Sequence, residues 1–94
     1  MKHCIIIKWN DKVADKDLYF EKSAKAFSDV TKLAGVTELK MYKSNSERDN
    51  RADLMIKIEC TKEGLENYDV SELHQAFKKM CEGLIAQKTI FDYE

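Results

Sequence analysis

A tyrosine and a histidine in the last third of the chain are the residues best suited to acid–base chemistry. Ser71 is of a residue type that favours the start of a helix, and it lies between the two, after Tyr68 and before His74. His74 falls on the apolar stripe of the helix that Ser71 would begin. The positive end of a helix dipole disfavours a protonated imidazole, so a neutral His74 could accept a proton as a general base. The Tyr68 hydroxyl could donate to a substrate carbonyl and stabilise a developing enolate.

The same residues also fit a purely structural role. A histidine on an apolar helix face is often a core residue hydrogen-bonded to the backbone. His3 shares a strand face with Ile5 and Ile7, so it could line a common cavity with His74 or simply lie at the sheet margin. The residues alone therefore leave a ligand site and a filled core both open.

No metal or cofactor is expected. The three cysteines, Cys4, Cys60 and Cys81, are far apart in the chain and each lies beside apolar residues, which favours buried, reduced thiols. His3 and His74 lack the spacing of metal ligands. The sequence contains no glycine-rich phosphate loop, no serine-nucleophile elbow and no dinucleotide fingerprint.

Composition indicates one globular domain over residues 1–94. The 94 residues are 44% hydrophobic and 35% charged, with a net charge of −1, so the chain can form a core. The basic residues form no stripe with interleaved aromatic residues, so a nucleic-acid partner is not expected. The first apolar run is too short for a signal peptide or a membrane span, so we expect a cytoplasmic protein.

Hydrophobic periodicity predicts an α+β domain with the ferredoxin-like βαββαβ order, in which all helices cover one face of a four-stranded antiparallel sheet. The predicted strands span 2–9, 36–43, 52–60 and 84–93, and the predicted helices span 15–33, 61–67 and 71–83. Asp15, Thr61 and Ser71 are predicted N-caps. The last helix is predicted to bury a stripe formed by Val70, Leu73, His74, Phe77, Met80, Cys81 and Leu84.

Three strands place apolar residues on both faces. The first strand carries Ile5, Ile6 and Ile7 in succession. The third has Met55 on the face opposite to Leu54 and Ile56, and the last has Ile90 and Phe91 on opposite faces. In the second strand, Leu39 and Met41 are predicted on one face and Val36 and Tyr42 on the other. Because the helices can cover one face only, we expect a second copy of the chain to cover the other in an isologous homodimer.

Three segments resemble the stress-responsive A/B-barrel (Dabb) family. They are the opening KHCIIIKW, the segment YDVSELHQAF from Tyr68 to Phe77, and the ending IFDYE. The resemblance covers essentially the whole chain and implies a dimeric α/β barrel. One plant member of the family closes an aromatic ring on a linear polyketide, and the resemblance matches its Tyr and His to Tyr68 and His74. Another pocket histidine matches His3.

The sequence departs from the family pattern at Ser71 and Glu72, where a His and a Pro usually stand. The leading expectation is a homodimer that binds a small apolar molecule between sheet and helices, with His3, Phe27 and Phe77 at the ligand. One alternative is a lyase, a polyketide-cyclase-like enzyme or a cofactor-free oxygenase that uses His74 and Tyr68. A second is a stress-related interaction module with no active site.

Overall fold

The computed structural model describes all residues from 1 to 94. The elements along the chain are β1 (Lys2–Trp9), α1 (Lys16–Phe27), a 3₁₀ turn (Val30–Lys32), β2 (Val36–Lys43), β3 (Leu54–Cys60), α2 (Lys62–Asp69), α3 (Glu72–Cys81) and β4 (Ile85–Tyr93). The predicted order of strands and helices is confirmed.

The four strands form one antiparallel sheet in the order β2-β3-β1-β4. The two central strands pair so that Ile6 lies beside Met55, and β1 pairs with β4 so that Cys4 lies beside Phe91. Neighbouring residues of antiparallel strands point to the same face, so this register defines both faces of the sheet. The architecture is the predicted ferredoxin-like α+β fold.

One face of the sheet, called here the covered face, carries the helices and the core. Ile5, Ile7, Ile56 and Ile58 alternate along the central strands and are fully buried against the helices. The helices supply three aromatic rings to this core, and two of them, Phe27 and Phe77, meet edge to face at 4.9 Å between centroids. Aromatic contacts of this geometry stabilise a core beyond their buried area.

The other face, called here the open face, carries no helix. It mixes charged and apolar side chains, namely Lys2, Cys4, Ile6 and Lys8 from β1, Glu38, Lys40 and Tyr42 from β2, Met55, Lys57 and Glu59 from β3, and Gln87, Thr89, Phe91 and Tyr93 from β4. Tyr42, Phe91 and Tyr93 are among the most exposed large apolar residues of the chain. The predicted two-sided apolar character of β1, β3 and β4 is therefore present.

The three predicted helix caps are confirmed. The side chains of Asp15, Thr61 and Ser71 accept hydrogen bonds from backbone N–H groups in the first turns of α1, α2 and α3. Each cap satisfies a donor that has no partner within the helix.

The first helix is shorter than predicted. It ends at Phe27 instead of continuing to residue 33, because Ser28 turns its hydroxyl and its backbone N–H back to the carbonyl of Lys25. The separate 3₁₀ turn then buries Val30. The third strand begins two residues later than predicted, at Leu54, where the Asp53 side chain accepts a hydrogen bond from the backbone N–H of Trp9.

Two apolar residues do not lie where the periodicity predicted. Val36 belongs to the covered face and not to the face of Tyr42, because the register shifts between Val36 and Glu38. A bulge of this kind moves one residue to the opposite face. Val70 is not part of the buried stripe of α3, since it forms the C-cap of α2 and its side chain is 80% exposed.

Two glycines bring α2 unusually close to the segment before β2. Gly35 has a left-handed conformation, with φ at +85°. Its carbonyl accepts a hydrogen bond from the backbone N–H of Thr61, and a side-chain carbon added at Gly64 would lie 2.2 Å from the same carbonyl oxygen. Only a residue without a side chain fits at position 64. None of the helices has the length and apolar content needed to cross a bilayer.

Candidate functional site

Tyr68 lies at the centre of the candidate site. It is in the last turn of α2, and its side chain is 1% exposed. Its ring centroid is 4.5 Å from that of His74, and 5.9 Å from those of His3 and Phe27. The tyrosine is therefore surrounded by rings that come from β1, α1 and α3.

The hydroxyl of Tyr68 is buried and has no hydrogen-bond partner within the protein. Burial raises the pKa of this hydroxyl well above its usual value of 10.0, and the negative charge of Asp69 adds to the effect. The group is thus a neutral phenol at physiological pH, with an O–H available as a donor.

His74 lies in the first turn of α3, above the Tyr68 ring. Its backbone N–H donates to the Ser71 hydroxyl, and its Nδ1 is 2.9 Å from the carbonyl oxygen of Asp69. A carbonyl can only accept, so Nδ1 carries the proton in this contact, and the neutral ring has its lone pair on Nε2. The half-buried imidazole is therefore held in the tautomer that leaves Nε2 able to accept a proton.

His3 projects from β1 toward the same tyrosine and is buried. Its Nδ1 lies 2.5 Å from a carboxylate oxygen of Asp92, its register partner on β4. The carboxylate favours a proton on Nδ1 and fixes the orientation of the ring. Such a pair can also stabilise a positive imidazolium during a proton transfer.

The five residues singled out from the sequence come together on the covered face. The rings of His3, His74 and Phe27 each lie against Tyr68, and Phe77 packs edge to face on Phe27. Two groups that bond to these histidines were not predicted from the sequence, namely the Asp92 carboxylate and the Asp69 carbonyl. The alternation of β4 places Asp92 on the face of Ile90, but only the pairing of β1 with β4 reveals that it meets His3.

The rings around Tyr68 are closely packed. Two larger hollows of the molecule lie elsewhere, one of about 590 Å³ beside Leu33 and Leu73 and one of about 360 Å³ beside Lys8 and Arg51. A molecule that reached the Tyr68 hydroxyl would therefore have to displace a packed side chain. No group of three or more His, Cys, Asp or Glu side chains is placed to hold a metal ion.

Neither a family model nor a curated protein matches the sequence. Among solved structures, a Dabb family protein with a ferredoxin-like fold from Mesorhizobium loti superposes with a TM-score of 0.72 at 14% identity, over 99% of this chain and 93% of that chain. The chain has the ferredoxin-like fold of this protein. The fold expected from the sequence motifs is thus confirmed.

Two other solved structures superpose on this chain over most of their length. A dimeric protein of unknown function from Bacteroides fragilis superposes with a TM-score of 0.83 at 16% identity, over 99% of this chain and 93% of that chain. Hydroxynitrile lyase from Passiflora edulis superposes with a TM-score of 0.72 at 11% identity, over 98% of this chain and 89% of that chain. At these identities the similarity concerns the fold.

Proposed function

We propose that the protein is a homodimer that binds a small, largely apolar molecule between the sheet and the helices, through a hydrogen bond from Tyr68. The observation that carries this proposal is the buried Tyr68 hydroxyl without a partner. Leaving a buried polar group unpaired costs about 1–3 kcal/mol, and a phenylalanine would fill the same space without that cost. A ligand oxygen would remove the penalty.

The surroundings of the hydroxyl favour a neutral ligand. Phe27 and Phe77 offer apolar contact, and the two histidines beside Tyr68 are engaged through Nδ1 with Asp69 and Asp92. A carbonyl compound supplies an acceptor for the phenol and an apolar body for the phenylalanines. We therefore assign the ligand to the class of small aromatic or aliphatic carbonyl compounds.

The test is a titration of the protein with acetophenone and benzaldehyde, followed by NMR of the Tyr68, His74 and Phe77 side chains. We expect saturable shifts at these residues, and a loss of affinity of about two- to tenfold in Tyr68→Phe, the contribution of one hydrogen bond. Tyr19→Phe is the matched control, because the Tyr19 ring packs on Trp9 away from the site. Equal affinity in Tyr68→Phe, or no saturable shift with either probe, would contradict the proposal.

The proposed homodimer rests on the open face. Phe91 is 59% exposed there, and Ile6, Tyr42 and Met55 give it further apolar surface that no helix covers. The Bacteroides fragilis protein of the same fold is dimeric, which supports the assignment. A second copy would remove this apolar surface from water on both chains at once.

Neighbouring residues of β4 provide a matched test of the dimer. Phe91 points to the open face, while Ile90, 46% exposed, points to the covered face. Sedimentation equilibrium at micromolar concentration should give about twice the chain mass of 10.9 kDa. Phe91→Asp should shift the protein to monomer and Ile90→Asp should leave it dimeric, because only the former places a charge in the interface. A monomeric wild-type protein would contradict the proposed homodimer.

An acid–base enzyme is the second candidate, and the pair formed by His3 and Asp92 favours it. The Asp92 carboxylate would stabilise a positive charge on the buried His3 imidazole, as a ring that exchanges protons with a substrate needs. His74 Nε2 would accept a proton from the substrate and the Tyr68 hydroxyl would stabilise the developing oxyanion. The structural neighbour from Passiflora edulis is a hydroxynitrile lyase, so a lyase or ring-closing reaction is the class proposed.

A measurement of catalytic turnover distinguishes the hypothesis of an enzyme from that of a binding protein. The substrates to test are mandelonitrile, reactive linear polyketides and quinone-like compounds. If turnover is found, His74→Gln should abolish it while leaving binding of acetophenone within about threefold, since the base acts on the transition state and not on the ground state. Unchanged turnover in His74→Gln would exclude His74 as the base.

A further inference from the structure

We infer that the protein has a second binding site, which takes a small organic ammonium ion with an apolar body. The site is a hollow of about 280 Å³, called here the α1 hollow. It lies between the first turns of α1, the segment that joins β2 to β3, and the adjoining ends of β1 and β3. None of the rings around Tyr68 lines it. The inference is therefore independent of the ligand and the homodimer proposed above.

A buried carboxylate with unused acceptor capacity lines the α1 hollow. The side chain of Asp53 is 8% exposed. One of its oxygens lies 2.8 Å from the backbone nitrogen of Trp9, and the other lies 2.9 Å from Nζ of Lys16. An ionised carboxylate can accept about four hydrogen bonds, so Asp53 can accept further ones. A ligand in the hollow would fill this capacity with a donor, as an ammonium group does.

The charges around the α1 hollow favour a cation. Its lining carries the carboxylates of Asp17, Glu47 and Asp53 and the ammonium groups of Lys16 and Lys43. Lys16 pairs with Asp53, and Lys43 pairs with Asp17 at 3.0 Å, whereas Glu47 has no ion-pair partner. One negative charge is thus in excess, which attracts a monovalent cation and repels an anion.

The apolar part of the lining favours an organic cation over a metal ion. Trp9 and Leu54 are buried, Phe20 is half-buried, and all three border the hollow. Lys43 Nζ already lies 5.6 Å from the centroid of the Phe20 ring, an arrangement in which the ring attracts a cation. The carboxylates of the hollow are not grouped to hold a metal ion. The volume lies just below the range of about 300–1,000 Å³ that suits drug-sized molecules, so the ligand is small.

Lys16 shows how an ammonium group binds at this carboxylate. Its side chain is 53% exposed, and its Nζ reaches Asp53 from the surface of α1. A ligand ammonium would bind beside it and compete for the same oxygens. Removal of the Lys16 charge should therefore strengthen the binding of a cation, while it would weaken the binding of an anion.

The experiment is a fluorescence titration, because Trp9 is the only tryptophan of the chain and lines the α1 hollow. The probes are benzylamine, benzoate and benzyl alcohol, which share an aromatic body and differ in charge. We expect a saturable change with benzylamine that weakens as the ionic strength rises, and no saturable change with benzoate. Tyr68→Phe should leave the affinity for benzylamine unchanged.

Two variants of the ion pair test the direction of the effect. Asp53→Asn keeps an acceptor for the Trp9 N–H and removes the charge, so it should weaken benzylamine binding about tenfold or more. Lys16→Met should tighten it roughly threefold or more. Asp29→Asn is the matched control, because Asp29 also pairs with a lysine, Lys32, but lies outside the α1 hollow.

Other outcomes would overturn the inference in distinguishable ways. Saturable binding of benzoate that Lys16→Met abolishes would show a site for anions. Equal affinity for benzyl alcohol and benzylamine would show an apolar site in which charge has no role. Binding of benzylamine to Lys16→Met alone would show that Lys16 itself fills the site in the natural chain. Loss of benzylamine binding in Tyr68→Phe would place the amine at the Tyr68 site instead.

Discussion

The two faces of the sheet come from alternate residues of the same strands, but they differ in composition and in what covers them. The covered face is apolar along the central strands and is closed by three aromatic rings from the helices. The open face mixes lysines and glutamates with isoleucine, methionine and aromatic rings. The covered face therefore supplies the stability of one chain, while the open face has the composition of an interface.

The two faces also differ in whether their polar side chains have bonding partners. On the open face, Lys2 and Glu59 pair with each other, and so do Lys40 and Glu38. On the covered face, the Tyr68 hydroxyl is left without a partner in a fully buried position. The unpaired group is thus found where it is most costly, which is why we place the ligand there.

The largest expected effect is on the free energy of unfolding, and it distinguishes two neighbouring residues of β3, Ile56 and Met55. Ile56→Ala should lower the free energy of unfolding by about 2–5 kcal/mol, because it leaves a cavity on the covered face. Met55→Ala, on the open face, should cost less than about 1.5 kcal/mol in the monomer, because Met55 is only half-buried there, and should chiefly weaken association. Urea unfolding at several protein concentrations measures both. Equal costs at low concentration would remove the distinction between the faces.

A smaller effect, of opposite sign, is expected at Tyr68. Tyr68→Phe should raise the free energy of unfolding of the ligand-free protein by about 1 kcal/mol, because it removes a buried hydroxyl without a partner. Thermal unfolding beside the Tyr19→Phe control measures the change. Destabilisation by Tyr68→Phe would show that the hydroxyl already has a partner in solution.

The smallest effect is expected from alkaline pH. Burial raises the pKa of the Cys81 thiol from 9.0 to about 11, although the Lys88 charge lowers it. The unfolded chain loses this proton near pH 9 while the folded chain keeps it, so the free energy of unfolding should fall as the pH rises from about 9 to about 11. Cys81→Ala should make urea midpoints less dependent on pH in that range. An unchanged dependence would assign the effect to other groups.

Local features of the fold could be predicted from the sequence because their causes are local. The caps at Asp15, Thr61 and Ser71 need only a side chain and the N–H groups of the next turn. The alternation in β3 needs only the strand period. The positions of Val36 and Val70 could not be predicted this way, since a bulge and a helix junction override the period at each.

The candidate site was predictable in its residues and not in its contacts. Tyr68, His74 and His3 stood out through residue type, periodicity and the family resemblance. The pairing of His3 with Asp92 depends on the register between the first and last strands, which no local pattern encodes. The missing partner of the Tyr68 hydroxyl depends on the packing of several elements at once.

The close approach of Gly35 and Gly64 limits how the site can be redesigned. Tyr68 lies one helical turn after Gly64 on α2, so a backbone contact outside the pocket fixes the height of the tyrosine above the sheet. Shifting α2 to enlarge the pocket would separate the two glycines or force them into collision. Variants that accept bulkier ligands should therefore be sought by trimming Phe27 or Phe77, with the helix left in place.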